Sequence, residues 1–159
     1  MVAVNIEGAD KLALVGKAVR LMGSDRTVIK NLTKRIKSLG TPVKAELKAS
    51  ALASLPHRGG LNLWVASSRV VVSVRRGAST AGVDISEGRN SKTGKRSDLR
   101  ALNKGKLRHP VHGNRRKWTL QSIEPGFFDD VIDGPVGEQF QAEVIGAIDD
   151  TIAEVLRGF

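Results

Sequence analysis

Apolar positions recur along this chain with two different periods, and the places where the period changes divide it into elements. Leu12, Val15, Val19 and Met22 stand three, four and three residues apart, which is one face of a helix. Gly23 and Ser24 supply a stop and a fresh N-cap. Ile29, Leu32, Ile36 and Leu39 repeat the spacing, with Lys30, Lys34, Arg35 and Lys37 off that face, until Gly40 ends the helix. Thr41 and Pro42 then make an N-cap and first-turn pair. They start a third helix, with Val43, Leu47, Ala51 and Leu55 at four-residue steps. These stripes predict helices packed on a core, with a solvated basic face outward.

His57-Arg58-Gly59-Gly60 breaks the helical pattern, and from Arg69 to Arg75 a β-branched run predicts a strand. Gly77 to Ser79 reads as a turn. Val83 and Ile85 alternate with Asp84 and Ser86, so a second strand is expected to form a hairpin with the first. Gly88 to Gly105 is polar and cationic, with only Leu99 and Leu102 as anchors, and its middle is expected to be a mobile loop. Trp118 to Ser122 alternates again and predicts a third strand closing a small antiparallel sheet. Pro125-Gly126 turns the chain into Phe127-Phe128, an apolar patch ahead of Asp129-Asp130. Pro135 opens a last helix, where Val136, Phe140, Val144, Ile148 and Ile152 lie four apart, reinforced by Ile145 and Val155. That spacing departs from a whole turn by about 40° per step, so the stripe winds around the helix and can serve both the core and a neighbour. Helices, then strands, then a helix define an α+β class. We expect a single domain over residues 1–159, with an extended basic arm at 88–117.

Charge sharpens this outline. Arg89 to Lys117 holds eleven Lys/Arg and one acid, Asp98, a net +10; residues 1–88 carry +8 and 118–159 carry −8. A chain so polarised is suited to hold a polyanion or to meet a surface of opposite sign. The 159 residues contain no cysteine, which excludes disulfides and thiolate metal sites. No apolar run reaches 18 residues, so no membrane association is expected. The N-terminus has no charged stretch leading into an apolar core, and no signal peptide is expected.

Candidate chemistry is sparse. His109 and His112 form the only close histidine pair, a spacing compatible with a metal or a nuclease centre. The nearest acids in sequence are Asp98 and Glu124, and Pro110 prevents a helical alignment of the rings, so a structured turn is the better reading. No Gly-x-Ser-x-Gly and no phosphate-binding Gly-x-x-x-x-Gly-Lys-Ser/Thr is present. The adjacent pairs Asp129/Asp130 and Asp149/Asp150 do not face one another on a helix. Neither an enzyme nor a cofactor is expected. A small basic nucleic-acid-binding protein is the alternative, although Trp118 is the only aromatic near the basic run.

The stretch from Leu99 to Trp118, with Leu107-Arg108-His109-Pro110, then Gly113-Asn114-Arg115, then Trp118, Gln121 and Pro125-Gly-Phe-Phe128, carries a resemblance. Leu55-Pro-His-Arg-Gly-Gly-Leu61 followed by Trp64-Val65-Ala66 is a second, weaker part of it. The chain resembles the neck, or tail-completion, proteins of long-tailed bacteriophages, especially those infecting actinobacteria. That resemblance implies a structural virion protein at the head–tail junction, assembled as a homo-oligomeric ring after synthesis in the host cytoplasm. Its implied partners are copies of itself, portal or connector proteins, and tail-terminator or tail-tube proteins, with phage DNA in the lumen as a further candidate contact. Subunits in a ring meet through two different patches. The expected contact residues are therefore the basic Lys104, Lys106, Arg108, His109, Arg115, Arg116 and Lys117, set against the acidic Glu143, Asp149 and Asp150. Phe127 and Phe128 are candidates either for an apolar anchor or for the core. His109–Lys117 would form an ordered arm, and Arg89–Ser97 would order on assembly.

Overall fold

The computed structural model describes residues 26–75, 82–90, 99–111 and 113–157. The expected first helix around Leu12–Met22, the turn at Gly77–Ser79, residues 91–98 and His112 lie outside them. Helix α1 (Arg26–Leu39) buries Leu32 and Ile36 and leaves Lys30, Lys34, Arg35 and Lys37 exposed, as its spacing predicts. Only Gly40 separates it from α2 (Thr41–Ser54), and Pro42 sits in the first turn of α2, where its missing N–H is not needed. The two helices thus form one bent unit. A Cβ at Gly40 would stand 2.5 Å from Val72 Cγ2, so the bend is a point of close helix–strand approach.

Helix α2 buries Val43, Leu47 and Ala51. It ends at Leu55, whose extended φ −90°, ψ 151° is the conformation that the following Pro56 favours. Gly59 and Gly60, at φ 85° and 73°, then reverse the chain into a short helix, α3 (Leu61–Ala66). Strands β1 (Ser68–Arg75) and β2 (Gly82–Asn90) pair antiparallel, with Val70, Val72, Val83 and Ile85 turned into the core. Helix α4 (Leu99–Asn103) leads into a second hairpin, β3 (Lys106–Val111) with β4 (Asn114–Ser122). Helix α5 (Asp129–Ile132) precedes α6 (Pro135–Arg157), which runs against α1, α2 and α5 and buries Phe140, Val144, Ala147 and Ile148. At its start the approach to α5 is so close that a Cβ on Gly137 would collide with the Ile132 carbonyl.

The α+β class and the order of helices, hairpin and terminal helix are as the sequence predicts. Three expectations need correction. Trp118–Ser122 is not the third strand of the first sheet: the strands among the described residues form two separate two-stranded sheets. The span 88–117 is not one extended loop, because β2 continues to Asn90 and α4, β3 and the start of β4 occupy its second half. Leu107, His109 and Val111 alternate there with the cations, a period of two that the high charge conceals. Finally, Phe127 and Phe128 are each 1 % exposed and belong to the core, so neither offers a surface anchor.

Candidate interaction surface

The second hairpin is built on a closed root. Buried Asn103 accepts the N–H groups of Phe128 (2.9 Å) and Asp129 (3.2 Å) on its side-chain oxygen and that of Gly126 (2.8 Å) on its carbonyl. One residue thereby satisfies three backbone donors and ties α4 to the start of α5. Ile123 N–H donates to the Gly105 carbonyl at 2.9 Å, closing the strands at their base. Gly105 has φ 74°, and a Cβ there would meet the Ile123 oxygen at 2.7 Å, so a side chain is excluded on both counts. At the far end Gly113 has φ 77°, and Asn114 Oδ1 accepts the Arg116 N–H at 3.0 Å, a side-chain turn that starts β4.

Beyond this root the hairpin's principal packing outside itself is with α4. Residues 116–122 of β4 are exposed on both faces of the strand. Cross-strand pairing places Arg108 opposite Leu120, Pro110 opposite Trp118, and Lys106 opposite Ser122. One face of the ribbon therefore carries Lys106, Arg108, Pro110, Arg116, Trp118 and Leu120. Trp118 is 49 % exposed and Leu120 64 %, unusual positions for large apolar side chains on a strand. The Arg108 guanidinium lies over the Trp118 ring, 5.2 Å from its centroid, a cation–π contact between exposed side chains. The opposite face is better covered, with Leu107, His109 and Val111 half-buried and Leu107 packed on the core. His109 Nδ1 lies 3.2 Å from the Pro110 carbonyl oxygen.

The predicted contact residues thus divide. Lys104, Lys106, Arg108, Arg116 and Lys117 are exposed on or beside the hairpin, and His109 is half-buried in it. Arg115 lies in β4, with its side chain outside the described residues. The acidic candidates lie on α6, away from the hairpin. Glu143 accepts a hydrogen bond from Gln139 Nε2 at 2.9 Å. Asp149 is exposed, and Asp150 meets Arg35 of α1 at 2.7 Å. The Asp150 carboxylate is therefore engaged within its own chain, because α6 lies along the basic helix α1. From Lys104 to Ile123 the sequence holds six Lys/Arg and no acid, so the hairpin carries its charge without internal compensation.

A second polar feature lies under the helices. Glu87 extends the inward-facing series Val83, Ile85 across from Val70 and is only 6 % exposed. Burial raises its carboxyl from 4.5 to about 7, against the opposing pull of the Lys48 ammonium. Glu87 Oε2, Asn62 Oδ1 and Ser68 Oγ are buried without a hydrogen-bond partner. The period-two alternation already assigns Glu87 to the inner face, and only its charge argues otherwise. Asn103 and Leu120 were not legible as functional: the first looks like a helix end, the second like a core position.

Among the described residues no group of three or more His, Asp or Glu side chains is placed to share a metal ion. No helix among them is long and apolar enough to cross a membrane. No family model, curated protein or solved structure matches the chain.

Proposed function

We propose that this protein is a structural subunit of the neck of a long-tailed bacteriophage, joining the DNA-filled head to the tail as part of an oligomeric ring. The observation that carries the reading is the β3–β4 hairpin. It coincides with the segment in which the sequence resembles neck and tail-completion proteins, and it presents Trp118, Leu120 and an uncompensated set of cations to solvent. An exposed ribbon of this kind suits a contact between subunits better than turnover of a substrate. Aromatic and arginine anchors surrounded by charge are the composition of protein interfaces. Closed rings need two unlike patches, and the basic hairpin and the acidic C-terminal third of the chain supply a pair of opposite sign.

Electron microscopy of the purified protein, alone and mixed with the portal and tail-tube proteins encoded beside it, tests this proposal. Rings, or caps on the end of the portal or tube, are expected. A protein that stays monomeric in every mixture and is absent from mature particles would sink the proposal.

The acid-free hairpin with its arginine-covered tryptophan favours one other reading, a small nucleic-acid-binding protein. Under that reading the affinity for DNA falls steeply with salt, in proportion to the phosphates neutralised, and Arg115, Arg116 and Lys117→Ala abolishes it. Exposed Leu120 weighs against it, since neither a phosphate nor a base edge rewards an aliphatic surface at that position.

A further inference from the structure

A second basic surface lies on α1, apart from the hairpin. We propose that Lys30, Lys34 and Lys37 form a sequence-independent contact for the phosphate backbone of double-stranded DNA. This goes beyond the neck reading and does not rest on it.

Three observations lead to this site. The first is arrangement. The three lysines are exposed and fall within about 60° of one another around the helix, on the side away from buried Leu32 and Ile36. From Lys30 to Lys37 the stripe runs roughly 10 Å along the axis, the rise of three successive phosphates on one DNA strand. The second is the lack of acid nearby. Of the elements packed on α1, β1 holds no acid and α2 holds only Glu46, and α1 itself has none. Helix α6 brings its carboxylates to another flank, where Asp150 meets Arg35 at 2.7 Å. Arg35 stands about 100° or more around α1 from each of the three lysines. Among the described residues no ion pair engages Lys30, Lys34 or Lys37.

The third is what accompanies the lysines. Thr27, Asn31, Arg35 and Ser38, the other exposed positions between 27 and 39, are all polar, while Val28, Ile29 and Leu39 pack on the core. Protein interfaces rely on apolar and aromatic anchors and are depleted in lysine; the hairpin exposes such anchors and this face of α1 does not. A membrane surface rewards apolar side chains that enter the headgroup boundary, and unpaired bases stack on aromatic rings; neither kind of side chain is exposed here. Point charges among short polar groups match phosphate oxygens, which position a protein on DNA without reading its sequence.

Fluorescence anisotropy with a short labelled DNA duplex and the full-length protein, repeated at several salt concentrations, tests the site. A chain carrying Lys30→Gln, Lys34→Gln and Lys37→Gln is expected to bind at least about tenfold more weakly. Its plot of log affinity against log salt should be shallower by about 2.7, the share of three phosphates. A control chain with Arg58→Gln, Arg100→Gln and Arg157→Gln loses the same charge from scattered exposed positions and should bind within about twofold of the wild type. Arginine at all three α1 positions should keep the wild-type slope. Every substituted position is exposed, so melting temperatures should stay within a few degrees of one another. Equal weakening of the two glutamine variants would mean that net charge alone attracts the duplex, and it overturns the site. So does an absence of binding at low salt, or lysine-dependent binding to phosphatidylglycerol vesicles in place of DNA. Rings or particle incorporation alongside any of those results would leave the neck assignment standing.

Discussion

Glu87 lies on the inward face of β2 with an oxygen that finds no donor, and its carboxyl is raised to about 7 because burial penalises the anion. An unfolded chain releases this proton near 4.5, while the folded chain keeps it until about pH 7. The favourable state is therefore fully present below about pH 4.5, and stability is lost as the pH rises through 7. Between about pH 5 and pH 8 this one group should remove about 2–3 kcal/mol. Urea unfolding across that range is expected to give a falling stability for the wild type and a nearly level one for Glu87→Gln; parallel curves would mean the carboxyl is solvated. Asn103 is the second residue whose weight was hidden. Asn103→Ala leaves the Phe128 and Asp129 N–H groups without their acceptor and should destabilise the protein by about 2–3 kcal/mol in denaturant titrations. A change within about 0.5 kcal/mol would show that water replaces the side chain. Sequence alone does not reveal such a residue, because its value comes from donors 25 and 26 positions away.

Elements were legible where one physical signal dominated. The stripes of α1, α2 and α6 and the β-branched run of β1 are burial patterns, and burial is what fixes those elements. The β3–β4 hairpin was only half legible, because its strands take their form from a tight turn at Gly113 and a closed root rather than from a buried face. The short helices α3, α4 and α5 are each six residues or fewer, too brief to print a period. Gly105 makes the root testable. Gly105→Ala forces a side chain into φ 74° and toward the Ile123 oxygen. The expected loss is about 1–2 kcal/mol, confined to the hairpin. Hydrogen exchange should then quicken about tenfold for amides of β3 and β4 while those in the middle of α6 keep their protection. Uniform quickening throughout the chain would mean the hairpin and core unfold as one.

At the scale of the whole molecule, the charge asymmetry visible in the sequence is partly resolved inside the subunit. Helix α6 lies along basic α1, and Arg35 takes Asp150, an exposed pair worth little to stability but enough to remove one carboxylate from the outward set. The hairpin cations Lys106, Arg108, Arg116 and Lys117 have no acid in their own ribbon, and they are exposed there beside Trp118 and Leu120. Sequence alone could not show that Asp150 is answered within its own chain, because that depends on which helices become neighbours.

The account therefore rests on the hairpin being an assembly surface. Sedimentation velocity of the full-length protein beside a Lys106→Glu, Arg108→Glu, Arg116→Glu variant tests it most directly, since these side chains are exposed and their reversal should leave the melting temperature within a few degrees. The wild type is expected to sediment as a ring-sized species at micromolar concentration and the variant as a monomer. Identical sedimentation of two equally stable proteins, whether both assembled or both monomeric, would contradict the account.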